Sequence, residues 1–284
     1  MDMMIIYAAV LVAGIGAVCA IVLCTASKFM AVSPSDNRIE KITEILPMTN
    51  CGACGFPGCS GYAKALVSES PPAETLCIPG GAEAAKKLGE ILGIESSVFE
   101  HQRAIVHCAG GSTAMNKKME YSGIQTCMAA AELFGGQGTC PFGCLGYGDC
   151  RDACQKHSDS LNPPPPIAVC INDDLARIVP DLCSGCGLCV KACPKGLIAM
   201  EKDGVSPVVK CKNTQKGAAA RKSCSSACIG CRKCVSVCPD GAIEVKNFLA
   251  EIDYEKCTGC NSCIGVCPTK CIQPVKQTSP EIKA

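Results

Sequence analysis

Cysteine is the residue type through which this chain can do chemistry. The 284 residues include 28 cysteines, against six Phe, five Tyr and no Trp. Most of the cysteines are spaced as ligands are spaced. Cys51, Cys54, Cys59 and Cys77 form one set, C-x2-C-x4-C-x17-C. Cys140, Cys144, Cys150 and Cys154 form a second, C-x3-C-x5-C-x3-C. Three runs then repeat C-x2-C-x2-C-x3-C-P without a gap: Cys183, Cys186, Cys189 and Cys193; Cys228, Cys231, Cys234 and Cys238; Cys257, Cys260, Cys263 and Cys267. Three cysteines at i, i+3 and i+6 on a tight loop reach three corners of one iron–sulfur cubane. The fourth, with its proline, turns away toward a neighbouring cubane. Zinc knuckles use paired C-x2-C and have no place for the third thiolate.

The elements that must position these cysteines are short. Residues 29–36 read as a linker. Asn37 to Leu46 reads as an amphipathic helix, with Ile39, Ile42, Ile45 and Leu46 on one face and Pro47 ending it. The run CGACGFPGC is too rich in Gly and Pro for helix or strand. Ser60 to Ser68 and Ala82 to Leu92 read as helices flanking Cys77. Ile198–Glu201 and Val205–Val209 are expected to pair as a hairpin about Asp203-Gly204, and Ala242–Val245 with Ala250–Asp253 as a second.

Met3 to Ala26 carries no charge over 24 positions. As a helix it would be roughly 36 Å long, enough for a hydrocarbon core of about 30 Å. Lys28, Arg38 and Lys41 follow it and only Asp2 precedes it, so the bulk of the chain is expected on the cytoplasmic side. Cytoplasmic thiols stay reduced, which favours metal binding over disulfides.

CIGCRKCVSVCP followed by CTGCNSCIGVCP resembles a bacterial two-[4Fe-4S] ferredoxin, and residues 140–193 resemble a more divergent copy. The whole order, an anchor, CGACGFPGCSGYAKAL and two ferredoxin-like pairs, resembles the B subunit of the Rnf complex, a membrane-bound ferredoxin:NAD oxidoreductase that pumps ions. The resemblance implies five [4Fe-4S] clusters. Their ligands would be Cys51, Cys54, Cys59 and Cys77; Cys140, Cys144, Cys150 and Cys193; Cys183, Cys186, Cys189 and Cys154; Cys228, Cys231, Cys234 and Cys267; and Cys257, Cys260, Cys263 and Cys238.

It also implies a class and an organisation. The class is α+β: a single transmembrane helix, a small helical four-Cys [4Fe-4S] domain, and two ferredoxin-like two-cluster modules with short β-hairpins. The segments are 1–28 (anchor), 29–36 (linker), 37–97 (four-Cys domain), 98–203 (divergent ferredoxin-like module) and 204–284 (second ferredoxin-like module). The chain would sit in the cytoplasmic (inner) membrane of a prokaryote. It would accept electrons from soluble ferredoxin and relay them to the membrane and peripheral subunits of the complex.

The likeness is imperfect in the first pair. Cys154 is followed by Gln155 instead of Pro, and the Cys144–Cys150 gap is five residues instead of two. In the second pair Cys224-x3-Cys228 repeats the spacing Cys140-x3-Cys144, so Cys224 competes with Cys228 or Cys231 as ligand; Cys228 is favoured because it begins an unbroken motif. The run Pro163–Pro166 reads as a stiff spacer. Cys19, Cys24, Cys108, Cys127, Cys170, Cys211, Cys224 and Cys271 have no assigned partner and read as packed thiols. His101, His107 and His157 lack paired ligand spacing and read as surface or structural residues.

Other classes are poorly served. A net charge of +1 does not suit nucleic-acid binding. No Gly-rich fingerprint follows a strand and there is no P-loop, so NAD is not expected to bind this chain. An electron-relay subunit of another membrane oxidoreductase, such as a hydrogenase or dehydrogenase complex, and a non-redox protein with structural clusters are the alternatives.

Overall fold

The computed structural model describes residues 37–68, 77, 80–93, 102–161 and 164–275, with seven helical positions between 7 and 20. The first unit is helical. Helix α1 (Asn37–Ile45) buries Ile42 and leads into buried Leu46 before Pro47 stops it. Helix α2 (Cys59–Val67) buries Cys59, Tyr62, Ala63 and Leu66, the spacing of one helix face. Helix α3 (Gly81–Leu92) ends at Gly93, whose left-handed φ of 67° closes the last turn at no side-chain cost. The three helices enclose one core of Ile42, Leu46, Tyr62, Leu66 and Leu88, with Cys59 and Cys77 inside it.

Two ferredoxin-like units follow, each with a hairpin and a second strand pair. In the first, β1 (Gln102–Val106) lies antiparallel to β4 (Ile198–Lys202), with Gln102 opposite Lys202 and Val106 opposite Ile198. Between them come α4 (Cys127–Glu132), α5 (Asp149–Asp159), the hairpin β2 (Val169–Asn172) and β3 (Leu175–Ile178), and α6 (Leu188–Ala192). In the second, β5 (Val208–Val209) pairs with β8 (Ile272–Gln273). The segment between holds α7 (Gly217–Ser223), α8 (Lys233–Ser236), the hairpin β6 (Ile243–Lys246) and β7 (Leu249–Ile252), and α9 (Ser262–Val266). Both hairpins turn through two consecutive residues of positive φ, Asp173-Asp174 and Asn247-Phe248, the twist a two-residue hairpin requires.

The expected hairpin over Ile198–Val209 does not form. Val205 N donates to Lys202 O in a turn, but the chain does not fold back. Ile198 and Val106 are both buried, at 3% exposure each, because β4 finds its apolar partner in β1, about a hundred residues earlier. Val208 and Val209 are likewise buried against β8. The second expected hairpin is present, shifted by about one residue. The proline run is also not a free spacer, since the Pro165 carbonyl accepts a hydrogen bond from Ser158 Oγ.

The structure is α+β with two ferredoxin-like hairpin units, but the expected class must be corrected in its other parts. Among the described residues no helix is long and apolar enough to cross a membrane. Most of Met3–Ala26 and the linker 29–36 lies outside the described residues, so the single-pass anchor, the inner-membrane placement and membrane attachment lose their structural basis.

Candidate functional site

In the helical unit, the CGACGFPGC loop is shaped by Asn50, whose Oδ1 accepts a hydrogen bond from Cys59 N at 2.8 Å. Gly58 has a φ of 106°, and a Cβ there would lie 2.7 Å from the same Oδ1, so only glycine fits. Burial pushes the Cys77 thiol up to about 11, with Cys59, Cys51 and Cys54 near enough to oppose its ionisation further. The structure therefore brings all four cysteines of this set into one neighbourhood.

The first ferredoxin-like unit gathers Cys154, Cys183, Cys186 and Cys189 around a cavity of about 180 Å³, together with His157. Burial raises Cys189 to about 12, with Cys183 and Cys186 beside it adding to the rise. Backbone amides point at sulfur here: Ala104 N donates to Cys183 Sγ at 3.5 Å, and Leu197 N to Cys193 Sγ at 3.4 Å. Cys150 is raised to about 12 by burial and then by Cys144, Cys127 and Cys193.

Cys140 does not join that group as expected. It lines a separate small cavity with Cys108, Cys211 and Cys224, formed where the two units meet. Asn213 Nδ2 donates to Cys140 Sγ at 3.5 Å, and Asn213 N donates to Cys211 Sγ at 3.4 Å. Burial raises Cys108 to about 12, with Cys144 and Cys224 adding charge repulsion. The sequence signal for this gathering is the repeated pairing of a distant cysteine with a C-x3-C step, at Cys140-x3-Cys144 and Cys224-x3-Cys228.

In the second unit Cys228, Cys231, Cys234 and Cys267 line one cavity, with Cys271 beside them. Cys267 Sγ and Cys271 Sγ lie 3.6 Å apart. The Cys271 side chain holds the Cys228 thiol down at about 6 and is itself pushed up in return. Cys263 is raised by burial and by its neighbours Cys257, Cys260 and Cys238. Ala242 N donates to Cys238 Sγ at 3.3 Å, matching Leu197 N and Cys193 in the first unit. Cys231 and Cys260 are exposed.

His157, one of the histidines without ligand spacing, is structural in its setting, at only 5% exposure. The thiols of Cys186 and then Cys51 hold its imidazole up at about 10, and His157 in turn lowers Cys51 to about 7. His107 is also buried, its Nδ1 2.9 Å from Val209 O and its Nε2 3.4 Å from Glu201 Oε1.

The metal assignment is corrected by this geometry. Among the described residues no group of three or more His, Cys, Asp or Glu side chains is arranged to hold a metal ion. The cysteines line the walls of cavities instead of closing on a common point, so the residues as placed do not fit the five expected [4Fe-4S] clusters, and the electron relay through them loses its structural basis.

Sequence relationships define the class. Residues 182–243 and 222–274 match families described as 4Fe-4S dicluster domain, and residues 46–79 match the family described as "Putative Fe-S cluster". Along most of its length the chain is similar to B subunits of ion-translocating oxidoreductases. It is 37% identical to the B subunit of the ion-translocating oxidoreductase complex of Methanosarcina acetivorans, over 90% of this chain and 93% of that protein. It is 35% identical to the B subunit of the proton-translocating ferredoxin:NAD+ oxidoreductase complex of Clostridium ljungdahlii, over 84% and 81%. It is 40% identical to the B subunit of the Na+-translocating ferredoxin:NAD+ oxidoreductase complex of Acetobacterium woodii, over 78% of this chain but 63% of that protein's length. The chain belongs to the family of Rnf complex B subunits and is a component of an enzyme complex.

Proposed function

We propose that the chain is the electron-transfer subunit of an Rnf-type oxidoreductase, taking electrons from reduced ferredoxin and delivering them to other subunits of the complex. The observation that carries this reading is the similarity to B subunits over 90% of the chain. The relatives are named for different coupling ions, sodium and protons.

The proposed site residues are the cysteines of the gathered sets: Cys51, Cys54, Cys59 and Cys77; Cys144, Cys150 and Cys193; Cys154, Cys183, Cys186 and Cys189; Cys228, Cys231, Cys234 and Cys267; Cys238, Cys257, Cys260 and Cys263. Cys140 is set apart from them by its own cavity. The test is ferredoxin-driven NAD+ reduction by the assembled complex carrying Cys186→Ser or Cys234→Ser. Each substitution should lower the rate by about tenfold or more while the subunit still assembles. Unchanged rates in both variants would overturn the site assignment.

A further inference from the structure

Arg177 and Lys210 come from different ferredoxin-like units and line one cavity of about 480 Å³. Arg177 stands on β3, where Leu175 and Ala176 are buried and Arg177 is exposed. Its backbone is held opposite Cys170 by the pairing of β3 with β2. Lys210 follows β5, and its N donates to Cys271 O at 2.7 Å, which extends the pairing of β5 with β8. The cavity therefore lies between the hairpin of the first unit and the closing strand pair of the second. Its two positive charges have no countercharge. Among the described residues no acidic side chain lines the cavity, and neither Arg177 nor Lys210 makes an ion pair or a side-chain hydrogen bond. Lys210 is half-buried, and burial and then Arg177 hold its ammonium below the usual lysine range. Cys108 lines the same cavity, but burial pushes its thiol up to about 12, so it stays protonated near neutral pH and brings no negative charge. Two like charges against one cavity, one of them partly withdrawn from water, cost stability. Proteins keep such a cost where a site uses it.

We propose that this cavity is a binding site for a small organic oxyanion, whose phosphate or carboxylate head sits between Arg177 and Lys210. The guanidinium fork matches two oxygens of such a head, and the ammonium adds a point charge beside it. Leu175, Ile178, Val179 and Val275 supply an apolar wall for the rest of the ligand. A few convergent polar groups on an apolar wall, in a space of about 300–1,000 Å³, is the usual make-up of a small-molecule site. The bound anion would touch both ferredoxin-like units and so would stabilise them together. The site does not depend on the electron-transfer reading above.

The experiment titrates the full chain with phenyl phosphate, benzoate, inorganic phosphate and phenol by calorimetry, and follows the melting temperature with each. The chains are wild type, Arg177→Gln, Lys210→Met and Lys222→Met. Lys222 is exposed on α7 and does not line the cavity, so its variant removes the same charge elsewhere. Phenyl phosphate or benzoate should bind wild type saturably and raise its melting temperature, and the tighter of the two identifies the head group. Inorganic phosphate should bind about tenfold more weakly than phenyl phosphate, since it leaves the apolar wall unused. Phenol, which lacks the charge, should not bind. Arg177→Gln and Lys210→Met should each weaken binding by about tenfold or more and lose the gain in melting temperature. Lys222→Met should behave as wild type. Absence of saturable binding by both phenyl phosphate and benzoate would overturn the proposal. Wild-type affinity in Arg177→Gln and Lys210→Met would overturn it too, as would an equal loss in Lys222→Met, which would reduce the effect to net charge. Inorganic phosphate binding as tightly as phenyl phosphate would overturn the organic part of the assignment.

Discussion

Asn213 Nδ2 donates to Cys140 Sγ at 3.5 Å, joining two residues 73 positions apart in the chain. Asn213 is 1% exposed, and its Oδ1 also accepts from Gln215 N at 2.8 Å. This one side chain therefore ties the loop before α7 to the first cysteine of the divergent run. Cys140, Cys211 and Asn213 line the same small cavity, with Cys224. Asn213→Ala should cost about 1 kcal/mol, because it leaves the partly buried Gln215 amide without its partner. Denaturant unfolding checks this, and a change well below 0.5 kcal/mol would show that Asn213 does not hold the loop.

The four-cysteine loop depends on Gly58. Any side chain there meets Asn50 Oδ1 at 2.7 Å and also strains a φ of 106°. Gly58→Ala should destabilise the helical unit by about 1–3 kcal/mol. Faster hydrogen exchange should follow at the Cys59 amide, whose acceptor is Asn50. Exchange at wild-type rates in this loop would contradict the geometry.

Strand pairing gives a sharp contrast between two nearby residues. Ile198 is buried opposite Val106, whereas Val205 lies outside any strand and is only partly buried. Ile198→Ala should cost about 2–5 kcal/mol. Val205→Ala should cost about 0.5 kcal/mol or less, as substitutions away from the core do. Equal costs at the two positions would favour the local hairpin that the sequence suggests.

Why that hairpin misleads is a matter of range. The helices of the four-cysteine unit were legible within a residue or two, because Ile42, Leu46, Tyr62 and Leu66 repeat at helical spacing and Pro47 and Gly93 mark the ends. The hairpin at Ile243–Ile252 was legible because its partners are neighbours in the chain. β1 and β4 are not neighbours, and nothing local in Gln102–Val106 names its partner. The β2–β3 hairpin is just as local and likewise turns through two non-glycine residues of positive φ, Asp173-Asp174, yet the sequence reading did not include it. Spacing marks the cysteine runs but does not say how their side chains gather. The gathering of Cys108, Cys140, Cys211 and Cys224 required three distant segments to meet.

Lys210 supplies a prediction in pH. It is half-buried, and its ammonium is held below the usual lysine range first by burial and then by Arg177. A lysine with a depressed folded pKa binds fewer protons folded than unfolded. Its cost is therefore fully present below the folded pKa and is relieved as pH rises from there toward the ordinary value. Lys210→Met should raise the melting temperature at pH 7 by about 2–4 °C, and the gain should shrink as pH approaches the ordinary lysine pKa. A loss of stability at pH 7, or a gain that grows with pH, would contradict the assignment.

The central claim is that electrons from ferredoxin enter the complex through this chain. Rapid mixing of pre-reduced ferredoxin with the complex, with and without the chain and with NAD+ present, tests it most directly. The account predicts fast oxidation of ferredoxin and formation of NADH only when the chain is present, with both lost in the Cys186→Ser complex. Oxidation of ferredoxin at the same rate without the chain would contradict it.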